Sequence, residues 1–209
     1  MGMKVGLPPE EVEKLLEEKP GRIIYVRGLV KYFFLRRSLT EFLTGRQPRS
    51  VKAVDGISFD VMPKEIFGLA GESGCGKTTT GKVIMRLYDP TAGSIIYKPS
   101  EKVLEEVKKL SGGRVKDYDG YIDIAALPQK WYKPLRKEIQ MIFQDPYGAL
   151  NPRMKIGEIL EEPLLIHDIG TPEEREEMVM KALEDVKLIP PEDFVDRFPH
   201  MLSGGQRQR

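Results

Sequence analysis

The sequence has 209 residues, 40% of them hydrophobic and 31% charged, with 33 Lys and Arg against 32 Asp and Glu. Such a chain can bury one sizeable core, and its net charge of +1 excludes a general electrostatic pull toward nucleic acid or anionic lipid. Its longest apolar runs fall far short of the roughly 20 residues of a spanning helix, and its N-terminal stretch lacks the apolar run of a secretory signal. The single cysteine, Cys75, excludes an internal disulfide and fits a reducing cytoplasm.

Residues 8–19 carry Val12, Leu15 and Leu16 at helical spacing and are stopped by Pro20-Gly21, which predicts a short amphipathic helix. "RIIYVRGLVKYF" reads as a strand. "FLRRSLTEFLTGRQPRSVK" has four arginines and no clear period and reads as a solvated loop. "ISFDV" alternates, with Ile57, Phe59 and Val61 inward. "EIFGLA" is almost continuously apolar, as expected of a strand buried on both faces, and it leads into "GESGCGKTTT".

Ser100 can cap a helix whose stripe is Val103, Leu104, Val107 and Leu110, with Gly112-Gly113 at its end. A further strand is expected at "IQMIFQ", Ile139 to Gln144. Helices follow: Ile156, Ile159 and Leu160 share a face until Pro163. Thr171-Pro172-Glu173-Glu174 then combines an N-cap, a first-turn proline and a capping-box Glu ahead of the stripe Val179, Ala182, Leu183 and Val186. A β-rich portion thus precedes a helical one, with no internal repeat.

Gly71-Glu72-Ser73-Gly74-Cys75-Gly76-Lys77-Thr78 fits G-x-x-x-x-G-K-[ST] at every position, between a predicted strand and a predicted helix. The glycines let successive backbone N–H groups turn toward one anion, and the helix start adds its positive end. Lys77 would place a point charge between the β- and γ-phosphates, and Thr78 would offer a hydroxyl to Mg²⁺. Cys75 reads as a small tolerated side chain rather than a redox group.

Phosphate loops serve many chemistries, and two later stretches narrow the choice: "MIFQDPYGALNPRM" and "PHMLSGGQRQR". In this order the motifs resemble the ATP-binding subunits of ABC transporters, and "LVKYF", "KAVDGISF", "GLAGESGCGKTT" and "FQDPYGALNPR" resemble the oligopeptide/dipeptide importer subgroup. The resemblance covers nearly all of 22–209 except about 98–132.

The resemblance implies an α/β fold of the P-loop NTPase (RecA-like) type, an ABC nucleotide-binding domain with an antiparallel β subdomain and an α-helical subdomain. It implies a nucleotide-binding core over 22–144 with an insertion at 98–132 and a helical subdomain over 145–209, preceded by the helical extension that the residues themselves predict over 1–21. ATP and Mg²⁺ would be the cofactors. Gly71, Glu72, Ser73, Gly74, Cys75, Gly76, Lys77, Thr78 and Thr79 would bind nucleotide, with Lys77 and Gln144 catalytic and Thr78 and Gln144 toward the metal. Ser203, Gly204, Gly205 and Gln206 would be the signature facing the nucleotide of the opposite protomer. An aromatic after Lys31 would stack on adenine, with Phe33 favoured by the spacing and Tyr32 the alternative.

Implied partners are integral-membrane permease subunits, a second ATP-binding subunit and, indirectly, an extracellular substrate-binding protein, with no nucleic acid. The implied location is peripheral, on the cytoplasmic face of the cell membrane. The resemblance also implies a catalytic glutamate strand and a switch histidine beyond Arg209, so the chain reads as an N-terminal part lacking its C-terminal strands and poorly equipped to hydrolyse ATP alone. The alternative is a nucleotide-binding module that does not hydrolyse. A chromosome-maintenance ATPase is disfavoured, because only 59 positions separate Gln144 from Ser203, too few for a long coiled coil.

"LSGG" also occurs at 110–113. There it closes a predicted helix, where free carbonyls and the local dipole repel an anion. That copy is expected to be a surface helix end where Ser111→Arg is tolerated.

Overall fold

The computed structural model describes residues 4–34 and 50–209, which form two compact units, Met1–Met141 and Ile142–Arg209. The arginine-rich segment expected as a loop lies mostly outside the described residues.

In the first unit, helix α1 (Pro9–Glu18) precedes strands β1 (Ile24–Phe34) and β2 (Ser50–Val61), helix α2 (Lys77–Ile84), strand β3 (Ala92–Tyr97), helix α3 (Glu101–Ser111) and strand β4 (Ile122–Asp123). The four strands make one sheet in the order β2-β1-β3-β4, every neighbouring pair antiparallel. Alternation along β1 and β3 gives the sheet two buried faces. Tyr25 and Ile96 pack with Val12 of α1 and Tyr121 on one side. Val26, Ile95 and Tyr97 pack with Val83 of α2 and Val103, Leu104 and Val107 of α3 on the other.

The register between β1 and its neighbours shifts around Gly28. A Cβ at Gly93 would sit 2.3 Å from the Gly28 carbonyl oxygen, so the two glycines allow the backbones to close at the bulge.

The 98–132 insertion is part of this core. Val103, Leu104, Val107, Val115, Ile122, Ile124, Ala125 and Leu127 are all buried in it, and β4 extends the sheet. Ser100 caps α3 by accepting the Val103 amide, and Gly112 ends it in the left-handed region at φ 61°, with the Gly113 amide returning to the Lys108 carbonyl at 3.0 Å.

Two expectations about α3 change. Leu110 is half exposed, and Ser111 takes the buried place instead, with no exposed surface. Its Oγ donates to the Lys108 carbonyl at 2.9 Å and accepts the Val115 amide at 3.4 Å. The chain turns back over this residue, so it is not a surface helix end.

The strand expected at "EIFGLA" is also absent. Residues 65–70 have no regular structure, and Ile66 is 99% exposed. Phe67 stacks on Phe59 at 4.8 Å, but Leu69 is open to solvent. The same holds at Ile139–Gln144, where Ile142 is 97% exposed. An apolar run becomes a strand only when neighbours complete its backbone hydrogen bonds, and no described strand lies alongside either segment.

The second unit is helical: α4 (Pro146–Ala149), α5 (Ile156–Ile166), α6 (Pro172–Asp185), α7 (Glu192–Val195) and α8 (Gly204–Gln208). Ile156, Leu183, Leu188, Phe194 and Leu202 form its core, with Ile159 and Leu160 against it. A Cβ at Gly157 would approach Val195 to 2.6 Å, which fixes how closely α5 passes α7. The expected stop at Pro163 does not occur. α5 continues to Ile166, and the His167 amide bonds the Pro163 carbonyl at 3.1 Å. Pro163 lies on the exposed face, where the carbonyl it deprives of an amide can reach water. Thr171 and Glu174 form the reciprocal cap at the start of α6.

Candidate functional site

The loop from Gly71 to Gly76 leads into α2 with Gly76 as its N-cap, at φ 98° and ψ 3°. A Cβ at this position would lie 2.0 Å from the Ala53 carbonyl oxygen of β2. Glycine is therefore required twice over, by the left-handed conformation and by contact with a sheet backbone. Gly74 is also left-handed, at φ 84°, but faces open space.

α3, α6 and α8 open on Ser or Thr side chains that cap their amides, whereas no side chain caps α2. The first amides of α2 have no intrahelical acceptor and no side-chain substitute, so this helix start offers donors and a positive dipole end to an anion.

Lys77 reaches back across the loop. Its ammonium donates to the carbonyls of Gly71 at 2.7 Å and Glu72 at 2.6 Å, and lies 3.5 Å from Cys75 Sγ. The cation is thus held at the mouth of the loop. Thr78 is exposed on the first turn of α2, while Thr80 Oγ is committed to the Gly76 carbonyl at 3.1 Å. Cys75 is exposed and free, and a Cβ at Gly71 would meet its sulfur at 2.7 Å.

Phe33 and Tyr32 point into different surroundings. Tyr32 donates to Asp55, and Lys52 lies 5.2 Å from its ring centroid. That hydrogen bond raises the tyrosine pKa and lowers the aspartate's. Phe33 meets Tyr88 edge-on at 5.2 Å, with Lys31 Nζ 4.9 Å over its ring and bound to the Asp89 carbonyl at 2.8 Å. Tyr88 lies just past α2 and carries Lys82 at 5.7 Å. Sequence reading singled out neither Tyr88 nor Lys82, because a lone aromatic past a helix end has no periodic signal.

In the second unit, Gln144 is exposed at a bend just before α4, and α4 packs against α8. Ser203 caps α8: its Oγ accepts the Gln206 amide at 3.3 Å, and the Gln206 side chain accepts the Ser203 amide at 2.9 Å. Gly204 and Gly205 are exposed on the first turn. The two "SGG" copies therefore differ: Gly204 and Gly205 open a helix, whereas Gly112 and Gly113 close one by bonding the Lys109 and Lys108 carbonyls.

Among the described residues no three His, Cys, Asp or Glu side chains cluster as a metal site. Also among them, no helix is long and apolar enough to cross a membrane.

The family model described as ABC transporter matches residues 54–209. The oligopeptide transport ATP-binding protein AppF of Bacillus subtilis is 41% identical over 187 residues, covering 90% of this chain and 49% of its own length. The dipeptide transport ATP-binding protein DppF of Haemophilus influenzae is 40% identical over 182 residues, covering 87% of this chain and 47% of its own length. The chain thus spans about half the length of the curated relatives it matches. The ATP-binding cassette MJ0796, in a dimeric post-hydrolysis state bound to ADP and Pi, shares the fold with a TM-score of 0.62 at 22% identity, over 88% of this chain and 65% of that one. The family match takes in both the uncapped start of α2 and the Ser203-capped start of α8, and it places this chain in the ABC transporter family.

Proposed function

We propose that this chain is the ATP-binding part of an importer for oligopeptides or dipeptides, coupling ATP binding and hydrolysis to transport. The carrying observation is the start of α2, where Gly76 is wedged on the Ala53 carbonyl, no side chain caps the amides and Lys77 spans the loop. The likeness to the oligopeptide transport protein AppF and the dipeptide transport protein DppF supports the peptide cargo.

In this reading residues 71–79 hold the phosphates, Phe33 beside Tyr88 meets the base, and Tyr32 stays with Asp55. The turn from Ser203 to Gln206, in which the Gly204 and Gly205 amides lie outside the reciprocal cap, faces the nucleotide of a second ATP-binding subunit. Thr78 and Gln144 would hold Mg²⁺, which neutralises developing phosphate charge when bound. Thr78, exposed on the first turn of α2, offers a neutral hydroxyl oxygen, which suits an ion that keeps its waters and takes phosphate oxygens. The partners are membrane permease subunits supplied with cargo by a binding protein, and the location is the cytoplasmic face of the membrane.

Calorimetric titration of ATP into Lys77→Ala tests the reading. Removing a charge-assisted contact weakens binding by about 1.5–3 kcal/mol, roughly 10- to 150-fold. Unchanged affinity refutes it.

A further inference from the structure

Phe33 does not stand alone at the end of β1. Its ring and that of Tyr88 lie 5.2 Å apart between centroids and 87° apart between planes. Lys31 Nζ lies 4.9 Å over Phe33 and 5.8 Å from the Tyr88 centroid, and its bond to the Asp89 carbonyl at 2.8 Å holds it there. Lys82 Nζ lies 5.7 Å over Tyr88. Two rings and two ammonium groups thus interlock through contacts that favour one mutual geometry. Phe33 is still only half-buried, and among the described residues no aromatic ring lies parallel to it.

Tyr88 is fixed by the turn that carries it. The Leu87 and Tyr88 amides return to the Lys82 carbonyl at 2.9 and 3.2 Å. Arg86 pairs with Asp89 at 2.9 Å, and Gln129 donates to the Arg86 carbonyl at 2.8 Å and to the Asp89 carboxylate at 3.1 Å. The strand end that carries Phe33 is tied to the same turn. The Thr91 amide donates to the Val30 carbonyl at 2.8 Å, and Thr91 Oγ1 accepts the Tyr32 amide at 3.0 Å. What remains free in Phe33 is the rotation of its own side chain, and the Tyr88 ring opposes that rotation.

The Tyr88 hydroxyl has no hydrogen-bond partner among the described residues, so the ring is what this residue lends. Tyr88 is 37% exposed and contributes little to the core. Lys77 opens α2 and Tyr88 follows its last turn, so one helix sets the distance from the phosphate loop to the aromatic pair. A ring fixed before a ligand arrives loses less freedom when a base stacks on it.

We propose that Tyr88 is a positioning residue of the nucleotide site: it holds the Phe33 ring in the orientation that receives the base, without itself touching the nucleotide. This role rests on the reading of residues 71–79 and Phe33 as a nucleotide site.

The test is calorimetric titration of the intact protein bearing this sequence with two probes, ATP and inorganic tripolyphosphate, which has the phosphate chain without ribose or base. Phe33→Ala should weaken ATP at least about fivefold, the effect of removing an aromatic ring from under a base. Tyr88→Ala should weaken ATP about three- to tenfold, in the range of an edge-to-face aromatic pair. It should leave tripolyphosphate unchanged, whereas a general loosening of α2 would weaken both probes. Tyr88→Phe keeps the ring and should retain parental ATP binding. On a Phe33→Ala background, Tyr88→Ala should cost nothing further, because its effect passes through Phe33. Tyr88→Leu, which has bulk but no aromatic edge, carries the same test should Tyr88→Ala fold poorly. Unchanged ATP affinity in Phe33→Ala or Tyr88→Ala, equal loss of both probes, loss in Tyr88→Phe, or additive losses in the double variant overturns the role of Tyr88. Each of these leaves the nucleotide reading standing as long as Lys77→Ala weakens ATP. Parental ATP affinity in Lys77→Ala overturns that reading, and the role of Tyr88 falls with it.

Discussion

Replacing Ser111 separates the observed α3 end from a surface helix cap. Ser111 has no exposed surface, sits between buried Val107 and Val115, and gives its hydroxyl to the Lys108 carbonyl and the Val115 amide. Ser111→Ala removes both bonds but leaves the Lys108 carbonyl its bond from Gly113, so the loss should be about 1 kcal/mol. Ser111→Arg forces a long cation into that space with no carboxylate placed to receive it. Lost hydrogen bonding, overpacking and an unpaired charge together should cost at least ~4 kcal/mol, a large share of the 5–15 kcal/mol that holds an ordinary domain. Urea unfolding followed by tryptophan fluorescence reads this unit directly, because the sole tryptophan, Trp131, packs against the same core. A midpoint for Ser111→Arg within about 0.5 kcal/mol of the parent would show that the turn over α3 is not as described.

Gly76→Ala should abolish measurable ATP binding while keeping the helical unit folded, because a Cβ 2.0 Å from the Ala53 carbonyl must displace the loop or β2; normal affinity by calorimetry would count against the loop geometry. Mg²⁺ titrated without nucleotide should give no heat of specific binding, since the described residues offer it no carboxylate cluster; a micromolar site without ATP would contradict that. Stability should fall in alkali. Burial pushes Tyr132 and Tyr121 up to about 12, so between pH 10 and 12 the unfolded chain loses protons that the folded one keeps, and stability present below pH 10 declines as pH rises. At 1.36 kcal/mol per pH unit, Tyr132 alone accounts for about 2–3 kcal/mol by pH 12, and Tyr132→Phe should flatten the decline seen in urea titrations at each pH.

What the sequence made legible was local. The caps at Ser100 and Thr171 and the Gly112 stop are written in the residues that make them, and each appears where the side-chain chemistry puts it. In the stretch 71–78 only part is local in this sense: Lys77 reaches the carbonyls of Gly71 and Glu72, whereas the contact that requires glycine at 76 comes from Ala53, far away in the sequence. "EIFGLA" and "IQMIFQ" failed because strand formation depends on a neighbour, which an apolar run cannot report. Ser111 failed differently: whether a helix end is buried depends on the path of residues 112–115, which the composition of α3 does not encode.

The insertion and the phosphate loop are mechanically connected. α2 begins on the Ala53 carbonyl through Gly76, and two residues past its end at Ile84 stands Arg86, which is left-handed at φ 53° and 5% exposed. A buried arginine in that conformation depends on its surroundings, and although its Nε is without a partner its other groups are held. Here Nη1 pairs with Asp89 at 2.9 Å and Nη2 donates to Leu127, while Gln129 takes both the Arg86 carbonyl and the Asp89 carboxylate. Leu127 and Gln129 belong to the insertion. The far end of the helix that carries Lys77 is therefore anchored by the segment that departs from the importer pattern, so this segment cannot be removed as a dispensable loop. Its loss would strip partners from a buried guanidinium and remove β4 and the α3 stripe from the core, and the phosphate loop would lose its support from behind before any residue within it was altered.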